Sequence, residues 1–163
     1  NGKFADMDTQ ILTALGMDLK RSFTYKVSQI GTIEATSELS SEYSAENLFS
    51  EDENKTWRPA DNDLTPEITI TLSQKDMFDK VVMQEYIANG QHVEGYELYI
   101  DKGDGKWEKV GAGGVVGYKR IHKITPVEVT RVKIKITSYR GNLEMNSVVM
   151  YKNEKNCCLR RFF

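Results

Sequence analysis

Histidine is scarce. The chain has only His92 and His122, so a metal site built on several histidines is excluded, and neither lies in an H-E-x-x-H frame. No G-x-S-x-G elbow is present, which removes the usual hydrolase nucleophile turn. No run of about 18 apolar residues occurs, so no membrane-spanning helix is expected. Charge of one sign is missing too: 22 basic and 24 acidic residues leave a formal net charge of −2, whereas a general nucleic-acid binder carries a basic face. Neither nucleic-acid binding nor membrane insertion is therefore expected. Cysteine is confined to the adjacent pair Cys157 and Cys158, which could bridge each other only with strain and read as tail thiols. They do not fix the redox compartment. No signal peptide is found and the first residue is Asn1, so the chain is expected to be a piece of a longer protein, with targeting information elsewhere.

What is present suits one domain. Of 163 residues, 39% are hydrophobic, and a chain of this size buries roughly 70% of its unfolded surface without staples. From Asp8 to Phe23, Ile11, Leu12, Leu15, Leu19 and Phe23 recur at helical spacing. Asp8 is the expected N-cap, and Lys20 and Arg21 suit the negative end of the helix dipole. After Tyr25 the period becomes two. Glu67–Leu72, Gly95–Asp101 and Arg131–Thr137 alternate, placing Ile68, Ile70, Leu72, then Tyr96, Leu98, Ile100, then Val132, Ile134, Ile136 on single faces. Lys80–Ile87 is apolar on both faces, as an inner strand would be. Asp104-Gly105, between Ile100 and Trp107, signals a hairpin. Further strands are expected over Ile33–Ser37, Lys106–Val110, Val115–Ile124 and Asn146–Tyr151. Many short strands with turn signals between them make an all-β sandwich or barrel with one N-terminal helix.

Few residues announce chemistry. Gly111, Gly113, Gly114 and Gly117 do not fit G-x-G-x-x-G, lack a βαβ setting and read as a surface turn. Asn54-Lys55-Thr56 is a formal glycosylation sequon, a pattern common by chance, and Glu51-Asp52-Glu53 reads as a solvated loop. No cofactor is expected. More suggestive are Tyr43, Trp57, Tyr86, Tyr118 and Tyr139 at loops and strand ends, with Arg58, His92, Arg120 and Arg140 close in sequence. Sugar recognition uses this combination: a ring against the C–H face and planar or charged donors for the hydroxyls. The competing reading is that such rings pack the core or its edge.

Three stretches are specific. Gln84-Glu85-Tyr86-Ile87, then Gly90-Gln91-His92-Val93, then Gly117-Tyr118-Lys119-Arg120-Ile121 resemble the C-terminal β-sandwich of bacterial α-L-fucosidases of glycoside hydrolase family 29. That sandwich belongs to the discoidin group, the coagulation factor five/eight type C domains, alongside the family 32 carbohydrate-binding modules. Asn47-Leu48-Phe49 leading to Trp57 is similar to the loop before the family's tryptophan, and the N-terminal helix is similar to the last helix of the fucosidase barrel. The resemblance implies a galactose-binding-like jelly-roll β-sandwich over 27–152, preceded by a helix and linker from the catalytic domain over 1–26 and followed by a tail over 153–163. It implies a non-catalytic accessory domain of a periplasmic or secreted glycosidase, because the catalytic residues of the family have no position here. Expected partners are a carbohydrate ligand and the parent catalytic domain, and expected contacts are Tyr43, Trp57, Arg58, His92, Arg120 and Arg140. The alternative is a structural domain that packs on the barrel and binds no sugar; a third reading, binding to protein or lipid head groups, needs exposed apolar spikes.

Two departures stand out. His92 occupies a place where the family usually has arginine. Many related modules hold calcium in the loop before the tryptophan, through a D-G-D-x-x-T-x-W pattern and a late Glu. Setting Trp57 on that tryptophan puts Ser50 at the first Asp, Lys55 at the Thr and Ser147 at the Glu, with a one-residue slip able to bring in Thr56. The resemblance with these substitutions implies no metal, with Lys55 partly replacing the ion's charge.

Overall fold

The computed structural model describes residues 5–153. Cys157 and Cys158 lie outside the described residues. One helix, α1 (Asp6–Phe23), precedes seven strands: β1 (Tyr25–Lys26), β2 (Ile30–Ala35), β3 (Glu67–Glu85), β4 (Val93–Asp101), β5 (Glu108–Gly113), β6 (Arg120–Tyr139) and β7 (Met145–Lys152). All pairings are antiparallel.

The two long strands make the sandwich. The first part of β3 pairs with β2 and with the last part of β6, as Ile70 opposite Ile33 and Val132. Its second part pairs with β7 and with the first part of β6, as Val81 opposite Met150 and His122. Register breaks between Thr71 and Asp76 and between Phe78 and Lys80 mark where both strands turn the corner, since bulges are how strands switch layers. β4 and β5 extend the first layer, and β1 extends the second. Ile68, Ile70, Leu98, Ile100, Val132, Ile134 and Ile136 of one layer share a buried cluster with Val81, Met83, Val148 and Met150 of the other. The alternation predicted for 67–72, 95–101 and 131–137 therefore faces this core.

The helix begins two residues earlier than the spacing suggests. Ala5 stands at its N-cap without a side-chain bond, and Asp8 is not the cap but lies in the first turn, where its charge still suits the dipole. No residue of α1 is buried, and Ile11, Leu12, Leu15 and Leu19 are each more than half exposed. Its C-terminal end is anchored: the Phe23 ring meets Tyr151 edge-on at 5.3 Å and lies under the Lys80 ammonium at 5.9 Å. Lys80 is itself buried beside Asp79 at 2.6 Å, so the buried run of β3, which begins at Phe78, includes an ion pair.

Several boundaries differ from the sequence reading. β3 stops at Glu85, and Ile87 opens a single 3-10 turn (Ile87–Asn89) with an exposed side chain. Residues 115–119 form a turn in which Gly117 takes φ +62°, so β6 starts only at Arg120. Tyr25 and Lys26 pair with β7 and carry the sheet into the expected linker. Gly111 and Gly113 are not in a surface turn but inside β5. A Cβ at Gly111 would stand 2.2 Å from the His122 ring, and one at Gly113 would stand 2.4 Å from the Tyr96 hydroxyl. The expected hairpin after β4 is present, and Asp101 builds it. Its Oδ1 accepts from the amides of Gly103, Asp104 and Gly105 at 2.7–3.1 Å, and its Oδ2 accepts from Arg131.

Candidate functional site

At the end of the sandwich where β4 begins, four loops are stitched together by main-chain bonds. Trp57 and Met145 exchange amides at 2.8 and 3.1 Å, Tyr86 N donates to Glu144 O at 3.0 Å, Glu85 N to Gly117 O at 2.9 Å, and Arg140 N to His92 O at 3.1 Å. A single carboxylate locks this arrangement. Glu85, 1% exposed, accepts from His92 N at 2.7 Å and Val93 N at 2.8 Å through Oε1, and from Gly117 N at 2.5 Å through Oε2. The stretches 84–87, 90–93 and 117–121 thus meet at one buried charge, and charge-assisted bonds of this kind are the strong ones. Glu85 is a positioning residue that sequence reasoning did not single out.

Beside the clamp lies an open concavity of about 460 Å³, walled by Tyr43, Tyr86, Asn89, Asn54, Lys55 and Glu144. Glu144 is 5% exposed. Its Oε2 accepts from Asn89 Nδ2 at 3.0 Å, and its Oε1 faces Arg58 Nη1 at 3.4 Å. The Arg58 guanidinium also covers the Tyr43 ring at 5.1 Å, a cation–π contact that fixes both planes. On the other side of Arg58 a second hollow of about 290 Å³ is bordered by Asp61 and Tyr139. The Tyr139 hydroxyl donates to Asp63 O at 2.7 Å, and burial pushes its phenol above the ordinary range. Burial also pushes Asp63 up, but hydrogen bonds from Ser37, Thr36 and the Thr65 amide outweigh it and hold the carboxyl below the usual range.

The six expected contact residues divide. Tyr43 and Arg58 come together around Glu144. Trp57 does not join them: it is 0% exposed, belongs to the core and donates its indole N–H to Ser37 O at 3.2 Å. A ring with no exposed face has none to offer a sugar, so the expectation for Trp57 is corrected. His92 is consumed by the loops, with Nδ1 2.8 Å from Arg140 O and Nε2 3.1 Å from Asn89 O. In this place an imidazole stands between two carbonyls. Arg140 is exposed and pairs with Glu94 at 3.0 Å. Arg120 stands apart on β6, where its Nε donates to the Tyr96 hydroxyl at 3.1 Å, and that hydroxyl lies 2.9 Å from His122 Nδ1. Burial, and then the Arg120 charge, push His122 below the ordinary histidine range. Glu144 and Asn89 were missed. The one local signal for Glu144 is a charge between Leu143 and Met145, both buried.

The loop before Trp57 differs from the calcium-holding pattern in where its oxygens point. Asp52 turns its Oδ1 back on its own loop, accepting from Asn54 N at 3.0 Å and Asn54 Nδ2 at 3.1 Å. Glu51, Glu53 and Lys55 are exposed. The β7 side chain that reaches the loop is Asn146 rather than Ser147, one residue from the expected register. It brings an N–H donor to the Glu53 carbonyl, and Asn47 brings another to the Thr56 carbonyl. Calcium needs about 6–8 oxygen ligands; these oxygens are already met by amides, and the residues do not fit the ion. Lys55 is exposed, and hydrogen bonds from Asn54 rather than the Lys55 charge lead in holding the Asp52 carboxyl below its usual range.

The F5/8 type C domain family matches residues 32–154. Alpha-L-fucosidase 1 of Arabidopsis thaliana is 24% identical over 161 residues, covering 94% of this chain and 31% of that protein. A Ruminococcus gnavus GH29 fucosidase in complex with fucose superposes with TM-score 0.82 at 22% identity, over 95% of this chain and 32% of that one. CpGH89CBM32-5 from Clostridium perfringens, in complex with GalNAc-beta-1,3-galactose, superposes with TM-score 0.66 at 20% identity, over 74% of this chain and 94% of that one. At such identities the structural likenesses establish the fold, a discoidin-like β-sandwich. The chain spans about a third of the length of the first curated relative it matches.

Proposed function

The chain belongs to the F5/8 type C domain family, and from that premise we propose that it is the non-catalytic accessory domain of a secreted or periplasmic bacterial α-L-fucosidase and binds a terminal sugar weakly at the loop end of the sandwich. The observation that carries the reading is Glu144: a buried carboxylate opening on a concavity, met among the described residues by an amide at 3.0 Å and an arginine at 3.4 Å. A carboxylate offers about four lone-pair sites. Glu144 therefore has acceptor capacity for a sugar hydroxyl, Arg58 supplies donors beside it, and the rings of Tyr43 and Tyr86 line the same hollow. Arg140 stands at the rim, and His92 and Arg120 act by holding loop and strand neighbours rather than by touching the ligand. A shallow site for one sugar corresponds to roughly millimolar affinity, about −4 kcal/mol. A glycan-array screen of the chain, followed by Glu144→Gln on the best ligand, tests this. Binding that is lost in the variant supports the proposal, and an empty array overturns it.

A second reading is favoured by α1. Its exposed Ile11, Leu12, Leu15 and Leu19 line an 18-residue helix, and in proteins a helix owes most of its stability to packing such an apolar face. We infer that this face packs on the catalytic domain of the parent chain, so the domain also serves as a structural support. In the strict form of this reading it does so without binding sugar.

A further inference from the structure

We propose that two asparagine amides, Asn47 and Asn146, clasp the loop before Trp57 and make the fold of this domain independent of calcium. The loop offers its Glu53 and Thr56 carbonyls to two side-chain amides. Asn146 Nδ2 reaches the first at 3.2 Å, and Asn47 Nδ2 reaches the second at 2.8 Å while also donating to Glu42 O at 2.7 Å. Such carbonyls need a positive partner, and each N–H of an amide supplies one without any charge to desolvate. The orientation of Asn146 is informative. Its Oδ1 is the one buried side-chain polar atom among the described residues with no hydrogen-bond partner. Turning the amide over would set that oxygen against the Glu53 carbonyl, oxygen to oxygen. The side chain is thus held by its donor at the expense of its acceptor, which is the arrangement a loop-clasping role requires. Asn47 does more than close the loop: Glu42 and Thr56 lie on two walls of the candidate concavity, so one amide sets the spacing between them.

Thermal unfolding of the chain in excess calcium and in chelator tests the first half. The expected midpoints coincide, and a fall of several degrees in chelator overturns the proposal. The isosteric substitutions Asn47→Asp and Asn146→Asp remove the donors. Each is expected to lower the midpoint by about 2–4 °C in chelator, the shift that losing one hydrogen bond gives a chain of this size; unchanged midpoints in both overturn the clasp. A measurement on the unsubstituted chain covers the case in which the variants do not fold. The side-chain NH2 protons of Asn47 and Asn146 are expected to exchange with water far more slowly than those of the exposed Asn62, and equal exchange overturns the assignment. Each outcome is read without any sugar present, so it stands or falls separately from the binding proposal.

Discussion

Asp101, buried at the hairpin end of the sandwich, and Glu144, buried at the loop end beside the amide-saturated Glu85, are used differently. Asp101, at the far end of β4, is 2% exposed and has both oxygens engaged, by three turn amides and by the Arg131 fork. Glu144, at the loop end, is 5% exposed and has one amide at 3.0 Å and one arginine at 3.4 Å. Both charges are removed from water, yet only the first is saturated. A saturated buried carboxylate holds structure; one with spare acceptors beside a hollow is available to a ligand. Burial alone does not separate the two, and the count of donors does.

The largest expected effect comes from removing the saturated group. Asp101→Ala leaves three turn amides and a guanidinium without their acceptor and is expected to cost about 3–5 kcal/mol, read as a lower denaturant midpoint at unchanged slope. Glu144→Gln keeps the shape and an acceptor oxygen and is expected to cost about 1 kcal/mol or less. Equal losses in the two variants would erase the distinction between the ends.

Acid separates them next. The Arg131 hydrogen bonds, joined against burial by the turn amides of Gly103 and Gly105, hold the Asp101 carboxyl below its ordinary 3.8. A carboxyl depressed in the folded state stabilises the fold above its unfolded value, so that contribution is lost as pH falls below 3.8. His122 acts earlier. Burial and Arg120 lower it from 6.5, so the unfolded chain takes the proton first and stability declines as pH falls below 6.5. Stability measured against pH should show both steps. Asp101→Asn should remove the lower step and His122→Asn the upper, and a profile unchanged by both would contradict these assignments.

The smallest expected effect concerns α1. Removing residues 1–22 while keeping Phe23 leaves the Tyr151 and Lys80 contacts in place and is expected to shift the unfolding midpoint by only a few degrees. Loss of the cooperative transition would show the helix to be integral to the sandwich.

How much was legible in the sequence follows from the range of each interaction. Glu67–Leu72 and Arg131–Thr137 were readable because one face of each meets the core, and alternation is local. That β3 and β6 each run through a corner was not readable, because a bulge leaves no mark on the period. The glycines of β5 could be understood only once the His122 and Tyr96 rings were in place. Tyr43 and Arg58, picked by residue type, lie beside Glu144, whereas Trp57, picked the same way, is buried in the core, since type does not say which way a ring faces. Glu85 had been quoted in a family stretch, yet its role depends on Gly117, 32 residues away, and that of Glu144 depends on Asn89, 55 residues away. Such partners are set by topology, which the local pattern does not carry.

The central claim is that the loop end holds a sugar while the hairpin end holds only itself. A titration of the isotope-labelled chain with fucose, galactose and N-acetylgalactosamine, followed by amide NMR, tests it most directly. The account predicts that at least one sugar shifts the amides of Tyr43, Arg58, Tyr86, Asn89 and Glu144 at roughly millimolar concentration, with Gly103, Asp104 and Gly105 unmoved. No shift with any sugar, or shifts centred on the Asp101 turn, would contradict it.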